Sequence, residues 1–208
     1  MKKILFCILH GKINYERYYN ISETWAKDCD YIFYSDYEDL NKNIYKVSNK
    51  THYNSNEEKH VNIIKKLKSE YENYEWYFFC DDDTFVNVDN LNKILDGLDT
   101  NLVYGSVLNH YPQDSSLYYL SGGAGYLISK QILSILSPKI QLENTGYSDV
   151  TLGIWLRKLN IPIKNIDYFR SQPPKFYDIN CNDLKNFITF HYIKTKKDMI
   201  NLLNSVKL

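Results

Sequence analysis

Three adjacent carboxylates, Asp81, Asp82 and Asp83, stand directly behind the apolar run Trp76-Tyr77-Phe78-Phe79-Cys80. At the end of a buried strand such neighbours repel one another unless a cation holds them, and hard divalent cations take carboxylate oxygens. A cation shared with a diphosphate is the usual reason for alternate carboxylates at that place. The run therefore points to a metal site and to a phosphorylated, nucleotide-linked substrate. A solvated turn is the plain alternative. A phosphohydrolase of the aspartyl-phosphate type also wants alternate aspartates after an apolar strand. Its pattern continues with Thr or Val two places after the second, where this chain has Phe85.

Other groups with chemical capacity lie far off in the chain. Asp149 opens a helical pattern in which Val150, Ile154, Trp155 and Leu159 keep near one face, with Asn160 and Pro162 as the stop. A helix N-terminus favours negative charge, so this carboxylate is expected to stay ionised at neutral pH, and by itself it reads as a cap. Asp36 ends an apolar strand at the edge where α/β sheets bind ligands. Gly122 and Gly123 interrupt the apolar segment 118–128, where the backbone must turn tightly or approach a ligand. His191 lies in an apolar stretch and by itself reads as a satisfied strand histidine.

The elements that must position these residues alternate between strand-like and helix-like patterns, which predicts an α/β sheet covered by helices. Strands are expected over residues 3–9, 31–34, 76–80, 102–104 and 188–193, and a helix over 18–26. Ser55-Asn56-Glu57-Glu58 has the capping-box pattern, and Val61, Ile64, Leu67, Tyr71 and Tyr74 follow at helical spacing. Asp89 is expected to cap a short helix carrying Leu91, Ile94, Leu95 and Leu98, and Ser129 another that Pro138 closes. A last helix begins near Thr195 with Met199, Leu202, Leu203 and Val206 inward. With no linker and no internal repeat, residues 1–208 read as one domain, an ordinary size for α/β folds of about 200–250 residues.

Charge and composition narrow the partners. The 25 basic and 25 acidic side chains cancel, which leaves no electrostatic footprint for nucleic acid and no polybasic signal for a membrane surface. Met1-Lys2-Lys3 and the apolar residues after it imitate a secretion signal, but the run breaks at His10 and lacks a small-residue cleavage site. No window approaches the roughly 20 apolar residues that cross a bilayer, so a soluble, cytoplasmic protein without a membrane span is expected. Cys7, Cys29, Cys80 and Cys181 show no close pairing, and Cys7 and Cys80 fall inside apolar strands as buried free thiols. The 20 tyrosines run along the whole chain and read as compositional bias rather than as sugar-stacking surfaces.

Five blocks in order give the chain a resemblance to the Fringe and core 1 β-1,3-galactosyltransferase group of inverting glycosyltransferases. Glu23-Thr24-Trp25 with Phe33-Tyr34-Ser35-Asp36 looks like the family's N-terminal block, residues 76–86 like its metal-binding segment and 121–129 like its Gly-Gly-Ala-Gly segment. Residues 148–153 look like its acidic block, and Phe190-His191-Tyr192 like its terminal histidine block. The resemblance implies a single GT-A, Rossmann-like domain with a mixed, mostly parallel sheet and helices on both faces.

It further implies a manganese ion, with magnesium as the substitute, held by Asp81, Asp83 and His191. A mixed oxygen and imidazole set suits manganese better than calcium or magnesium. Asp149 matches the catalytic base, and Asp36, Asp82, Arg17 and Lys59 are candidate contacts to the donor. Gly122 and Gly123 shape the loop over donor sugar and acceptor. The chain is thus expected to move a hexose or N-acetylhexosamine from a UDP-sugar to a hydroxyl of a glycan or glycosylated protein, forming a β-1,3 bond. The rivals are a binding module of the same fold without transfer, and a metal-dependent nucleotide-sugar hydrolase. Animal members carry an anchor, a stem and disulfides, so a minimal cytosolic version is expected here.

Overall fold

A computed structural model describes residues 4–206, except the side chains of Asn54, Cys181 and Asn182. In chain order it contains β1 Ile4–Leu9, α1 Arg17–Ser22, β2 Tyr31–Ser35, β3 Ile44–Lys46, α2 Asn56–Glu70, β4 Trp76–Asp81, β5 Phe85–Val86, α3 Val88–Leu95 and β6 Val103–Gly105. There follow β7 Val107–Leu108, β8 Tyr119–Leu120, β9 Tyr126–Ser129, α4 Lys130–Leu136, α5 Ser148–Lys158, β10 Ile163–Asn165, β11 Phe169–Arg170, β12 Thr189–Phe190 and α6 Lys196–Val206.

Seven strands form the main sheet in the order β10-β6-β9-β4-β1-β2-β3. All neighbours are parallel except β9, which runs antiparallel to β4 and β6. The central strands β1 and β4 are apolar up to Asp81, the last residue of β4, because both faces are covered. On one face Leu5 and Cys7 of β1 and Tyr77 and Phe79 of β4 pack with Ile64 and Leu67 of α2, Leu133 of α4 and Leu152 of α5. On the other, Phe6 and Ile8 with Trp76, Phe78 and Cys80 meet Ile21 of α1, Leu91 of α3 and Met199 of α6. The period-2 alternation of a strand thus feeds two cores at once. This is the α/β class expected, a mixed and mostly parallel sheet between helices.

A smaller sheet, β11-β12-β5, sits beyond the carboxyl end of β4 and carries residues that the main sheet cannot reach. Its last pairing, β12 antiparallel to β5 with Phe190 opposite Phe85, brings the tail back beside the acidic run. Cys7 and Cys80 are buried free thiols. No helix among the described residues is long and apolar enough to cross a membrane.

Several local expectations are corrected. Lys3, the expected start of β1, lies outside the described residues. The helix expected over 18–26 stops at Ser22, and a run of turns follows. Ser55 does not cap α2: it is already helical in conformation, and its hydroxyl donates to the His52 carbonyl at 2.5 Å. Glu58, the partner expected in that capping box, pairs instead with Ser48 and Lys50. Helix α2 ends at Glu70, before Tyr71 and Tyr74. Asn87, rather than Asp89, caps α3 by accepting from the Asn90 N–H at 3.3 Å. Ser129 caps α4 as expected, accepting from the Ile132 N–H at 3.1 Å.

Candidate active site

The acidic run begins on the last residue of β4 and turns immediately, the Thr84 N–H donating to the Asp81 carbonyl at 3.2 Å. Successive side chains leave a strand end in opposite directions. Asp81 and Asp83 face His191, whose Nε2 lies 3.5 Å from Asp81 Oδ2 and 3.1 Å from Asp83 Oδ1. Asp82 turns the other way. It accepts from His10 Nδ1 at 2.8 Å and from Arg17 Nη1 at 2.7 Å, and Arg17 Nη1 is also 3.3 Å from Asp83 Oδ2. The three aspartates therefore have two jobs: two converge with an imidazole and the middle one locks the turn to β1 and α1.

The converging set fits a divalent cation. One donor atom from each of Asp81, Asp83 and His191 lies within 4.8 Å of the others. Two ligands about 2.1 Å from one ion and at right angles to it stand about 3 Å apart, which the His191 distances approach. Electrostatics carry the same demand. Burial opposes charge on His191, yet its hydrogen bonds to Asp81 and Asp83 push its pKa up to about 9, so a proton on the ring plays the cation's part. Burial, with the neighbouring carboxylates adding, raises the Asp81 pKa. For Asp83 burial is outweighed by His191, Arg17 and Lys194, and its pKa falls.

The placement of His191 is tertiary. The expected strand over 188–193 shrinks to Thr189–Phe190, because only two residues find partners, and His191 sits just past its end. The His191 N–H donates to the Arg170 carbonyl at 3.1 Å and the Ile193 N–H to the Asp83 carbonyl at 2.8 Å. Between them Tyr192 takes a left-handed φ of 60° and lays its ring against the imidazole, centroids 3.7 Å apart. Gly123 closes the other side: a Cβ there would fall 2.0 Å from His191 Cε1. Thr84 Oγ1 donates to the Gly123 carbonyl at 2.7 Å and Thr189 Oγ1 to the Ala124 carbonyl at 2.6 Å, fixing the glycine loop to both neighbours.

Asp149 is the second residue of α5. Its Oδ1 accepts from the Val150 N–H at 2.9 Å and its Oδ2 from the Gly122 N–H at 3.3 Å. The helix terminus was expected to hold this carboxyl low; instead burial raises its pKa, the Asp81 charge adds to that, and the two N–H groups only partly offset it. Asp149 shares a cavity of about 390 Å³ with Asp81, Gly122, Gly123 and His191.

Glu57 is more than the helix-start residue its place in the sequence suggests. Its buried carboxylate accepts from the Glu143 N–H at 2.6 Å, the Gly146 N–H at 2.9 Å and Thr151 Oγ1 at 2.8 Å, tying the loop before α5 to α2. Nothing local in the sequence signals a partner 94 residues away.

A second cavity of about 480 Å³ lies on the other side of the cluster and takes His10, Arg17, Lys59, Asp82 and Asp83 into its wall. Lys59 is only 2% exposed, and its Nζ donates to the His10 carbonyl at 3.1 Å and lies 3.8 Å from Asp36 Oδ2. Asp36 is turned inward, accepting from the Lys12 N–H at 2.9 Å and Ser35 Oγ at 3.1 Å. Burial would raise its pKa, but Lys12 and Lys59 hold it below the ordinary value. These two thus brace the first strand ends, while Arg17 reaches the acidic turn.

A sequence profile described as Fringe-like matches residues 3–208. Hydroxyproline O-galactosyltransferase GALT2 of Arabidopsis thaliana is 27% identical over 132 residues, covering 54% of this chain and 19% of that protein. Glycoprotein-N-acetylgalactosamine 3-beta-galactosyltransferase 1 of Xenopus laevis is 39% identical over 61 residues, covering 28% of this chain and 16% of that protein. The matched region is less than a fifth of either relative's length. A glycosyltransferase involved in the glycosylation of the major capsid of PBCV-1 superposes with a TM-score of 0.56 at 17% identity, covering 97% of this chain and 98% of that one. The galactosyltransferase LgtC, solved with donor and acceptor sugar analogs, does so with a TM-score of 0.52 at 12% identity, covering 98% and 96%. These likenesses identify the fold as GT-A.

Proposed function

The chain belongs to the Fringe-like family, and from that premise we propose that it is a metal-dependent, inverting glycosyltransferase. It moves a hexose or N-acetylhexosamine from a UDP-sugar to an acceptor hydroxyl and forms a β-1,3 bond. Galactose is the first donor sugar to test, because both curated relatives are named as galactosyltransferases. The observation that carries the reading is that Asp149 shares one cavity with Asp81 and His191, which with Asp83 form the converging donor set, and that a second cavity beside it takes Arg17 and Lys59 into a wall that also holds the three aspartates.

In this reading Asp81, Asp83 and His191 hold manganese, with magnesium as the substitute. Bound there, such an ion would supply Lewis-acid neutralisation of the diphosphate, worth several kcal/mol. Arg17, 2.7 Å from Asp82, keeps positive charge on the donor side and holds the turn in place. Asp149 takes the proton of the acceptor hydroxyl as that oxygen attacks the anomeric carbon. The bond from that carbon to the diphosphate oxygen breaks, and UDP leaves from the opposite face. General-base help of this kind is worth about 10²- to 10⁴-fold. The raised pKa of Asp149 increases its basicity, and the Gly122 and Val150 N–H groups fix its direction.

UDP release from a panel of UDP-sugars, with manganese, magnesium or a chelator, tests this beside Asp83→Ala and Asp149→Asn. Metal-dependent turnover of one donor, lost in both variants, supports the proposal. UDP binding with no turnover on any donor favours the binding-module alternative, release of inorganic phosphate favours a hydrolase, and failure to bind UDP at all removes the assignment.

A further inference from the structure

A third cavity, of about 550 Å³, lies beside β11 and shares no lining residue with the two around the acidic run. Arg170, Tyr177 and Phe187 form part of its wall, with Asp178 and Asp183 alongside. The Arg170 guanidinium carbon lies over both rings, 4.7 Å from the centre of Tyr177 and 4.9 Å from that of Phe187. Such contacts hold a guanidinium by its faces and leave its N–H edge to meet a ligand. Nε of Arg170 is buried without a hydrogen-bond partner, and among the described residues neither Asp178 nor Asp183 pairs with the group. A buried donor left in this way calls for an acceptor from outside the fold. The rings are held in turn. The Tyr177 hydroxyl accepts from the Gln172 N–H at 3.1 Å, and Phe187 meets Tyr168 edge-on at 6.0 Å.

The charges in this wall select the occupant. Arg170 only donates, and ionised Asp178 and Asp183 only accept. An anion that satisfies Arg170 meets two carboxylates, a cation that satisfies the carboxylates meets Arg170, and an apolar ligand strands all three. A hydroxyl serves both kinds of group, giving a lone pair to the guanidinium and a proton to a carboxylate. Two aromatic side chains of the same cavity stand open, Tyr168 at 49% and Phe176 at 64% exposure. They offer flat apolar surface to a ligand with one apolar face. A pyranose combines these features, with C–H bonds on its face and hydroxyls round its edge. A peptide would seek backbone pairing along the sheet edge, but β11 offers only Phe169 and Arg170 for that ladder.

We propose that this cavity is an ancillary binding site for a neutral oligosaccharide, with a pyranose ring stacked on Phe176 or Tyr168 and ring hydroxyls bridging Arg170 to the carboxylates. Binding here uses neither the metal set nor Asp149, so it goes beyond the transfer reading. The place in the chain gives it a use all the same. β11 runs directly into Ser171 and Gln172, which line the Asp149 cavity, and Tyr177 holds the Gln172 N–H. A glycan tethered at this site raises its own effective concentration at the neighbouring cavity.

The test titrates the isotope-labelled, nucleotide-free full chain with lacto-N-tetraose, cellotetraose, laminaritetraose, tetragalacturonate or acetyl-tetraalanine amide and follows backbone amide shifts by nuclear magnetic resonance. At least one of the neutral tetrasaccharides is expected to move amides within residues 168–187, with a Kd on the order of 1 mM. Phe176→Ala should raise that Kd about tenfold and Phe176→Tyr should keep it. Arg170→Lys, which loses the planar fork but keeps the charge, should weaken binding on the same scale. Silence at residues 168–187 from every neutral tetrasaccharide overturns the site, as does tighter binding there of the galacturonate or the peptide. A Kd indifferent to both Phe176→Ala and Arg170→Lys, or shifts confined to residues 146–149, overturns it as well. With no nucleotide present, failure here leaves the transfer reading standing, and absence of UDP release in the earlier assay leaves this site standing.

Discussion

The imidazole of His191 lies flat over Gly123, so close that a Cβ on the glycine would stand 2.0 Å from Cε1. A methyl group there forces the ring to shift from its place beside Asp81 and Asp83. Gly123→Ala is therefore expected to weaken manganese binding at least tenfold while leaving the fold largely intact, because the strain falls on one ring at a cavity wall. Titration of manganese followed by electron paramagnetic resonance, beside a thermal melt, checks this. Equal affinities in the two proteins would mean that His191 is not a ligand.

The opposite face of the same ring rests on Tyr192, a non-glycine residue held at a φ of 60°. Such conformations persist only where the surroundings over-determine them. Groups that orient a metal ligand commonly carry about 10- to 100-fold of its affinity. Tyr192→Ala should lose manganese affinity on that scale and Tyr192→Phe should keep it. A loss shared by both variants would assign the effect to the hydroxyl rather than to the stacked ring.

The charge on His191 gives a pH dependence with a definite sign. Its folded pKa of about 9 exceeds that of an unfolded histidine, near 6.5, because Asp81 and Asp83 favour the protonated ring over the opposing effect of burial. In metal-free protein this interaction contributes its full stability below about pH 6.5 and loses it as pH rises through 9. Urea unfolding in chelator should show that decline. Metal must displace the same proton, so calorimetry at pH 7 in buffers of different ionisation enthalpy should report about one proton released per ion.

Asp149 shows the reverse bargain between stability and chemistry. Its pKa is raised on folding, chiefly by burial, so its contribution favours the fold only at acid pH and opposes it once the carboxyl ionises. Asp149→Asn is expected to lower kcat by about 10²- to 10⁴-fold while leaving the melting temperature equal or higher at pH 7. The acid limb of the kcat profile should lie above the range of an ordinary aspartate. A limb at or below that range would place the base elsewhere.

Glu57 should behave as a positioning residue. Replacing it by alanine strands the Glu143 and Gly146 N–H groups and the Thr151 hydroxyl, a cost of about 1–3 kcal/mol for each polar group left buried without a partner. Glu57→Ala is expected to lower kcat through misplacement of α5 while UDP affinity changes less. Glu57→Asp, which keeps the charge on a shorter stem, should recover part of the rate. Unchanged kinetics in a destabilised Glu57→Ala protein would reduce the residue to a structural tie.

Local residue pattern was enough for the class of the fold and the types of group at the site. Strands buried on both faces must be apolar throughout, so β1 and β4 announce themselves, and carboxylates behind such a strand need a reason to be there. Ser129 capped its helix because that bond is local. Tertiary structure decided which carboxylates meet His191, since the direction in which Asp81 and Asp83 emerge has meaning only once β12 returns along β5. It also turned Asp36 and Lys59 toward each other inside the molecule and made Glu57 the anchor of a loop 94 residues away in the case of Thr151. The helix start at Asp149 was legible, but the sign of its pKa shift was not: a helix dipole is a property of the element, whereas desolvation depends on everything packed around it.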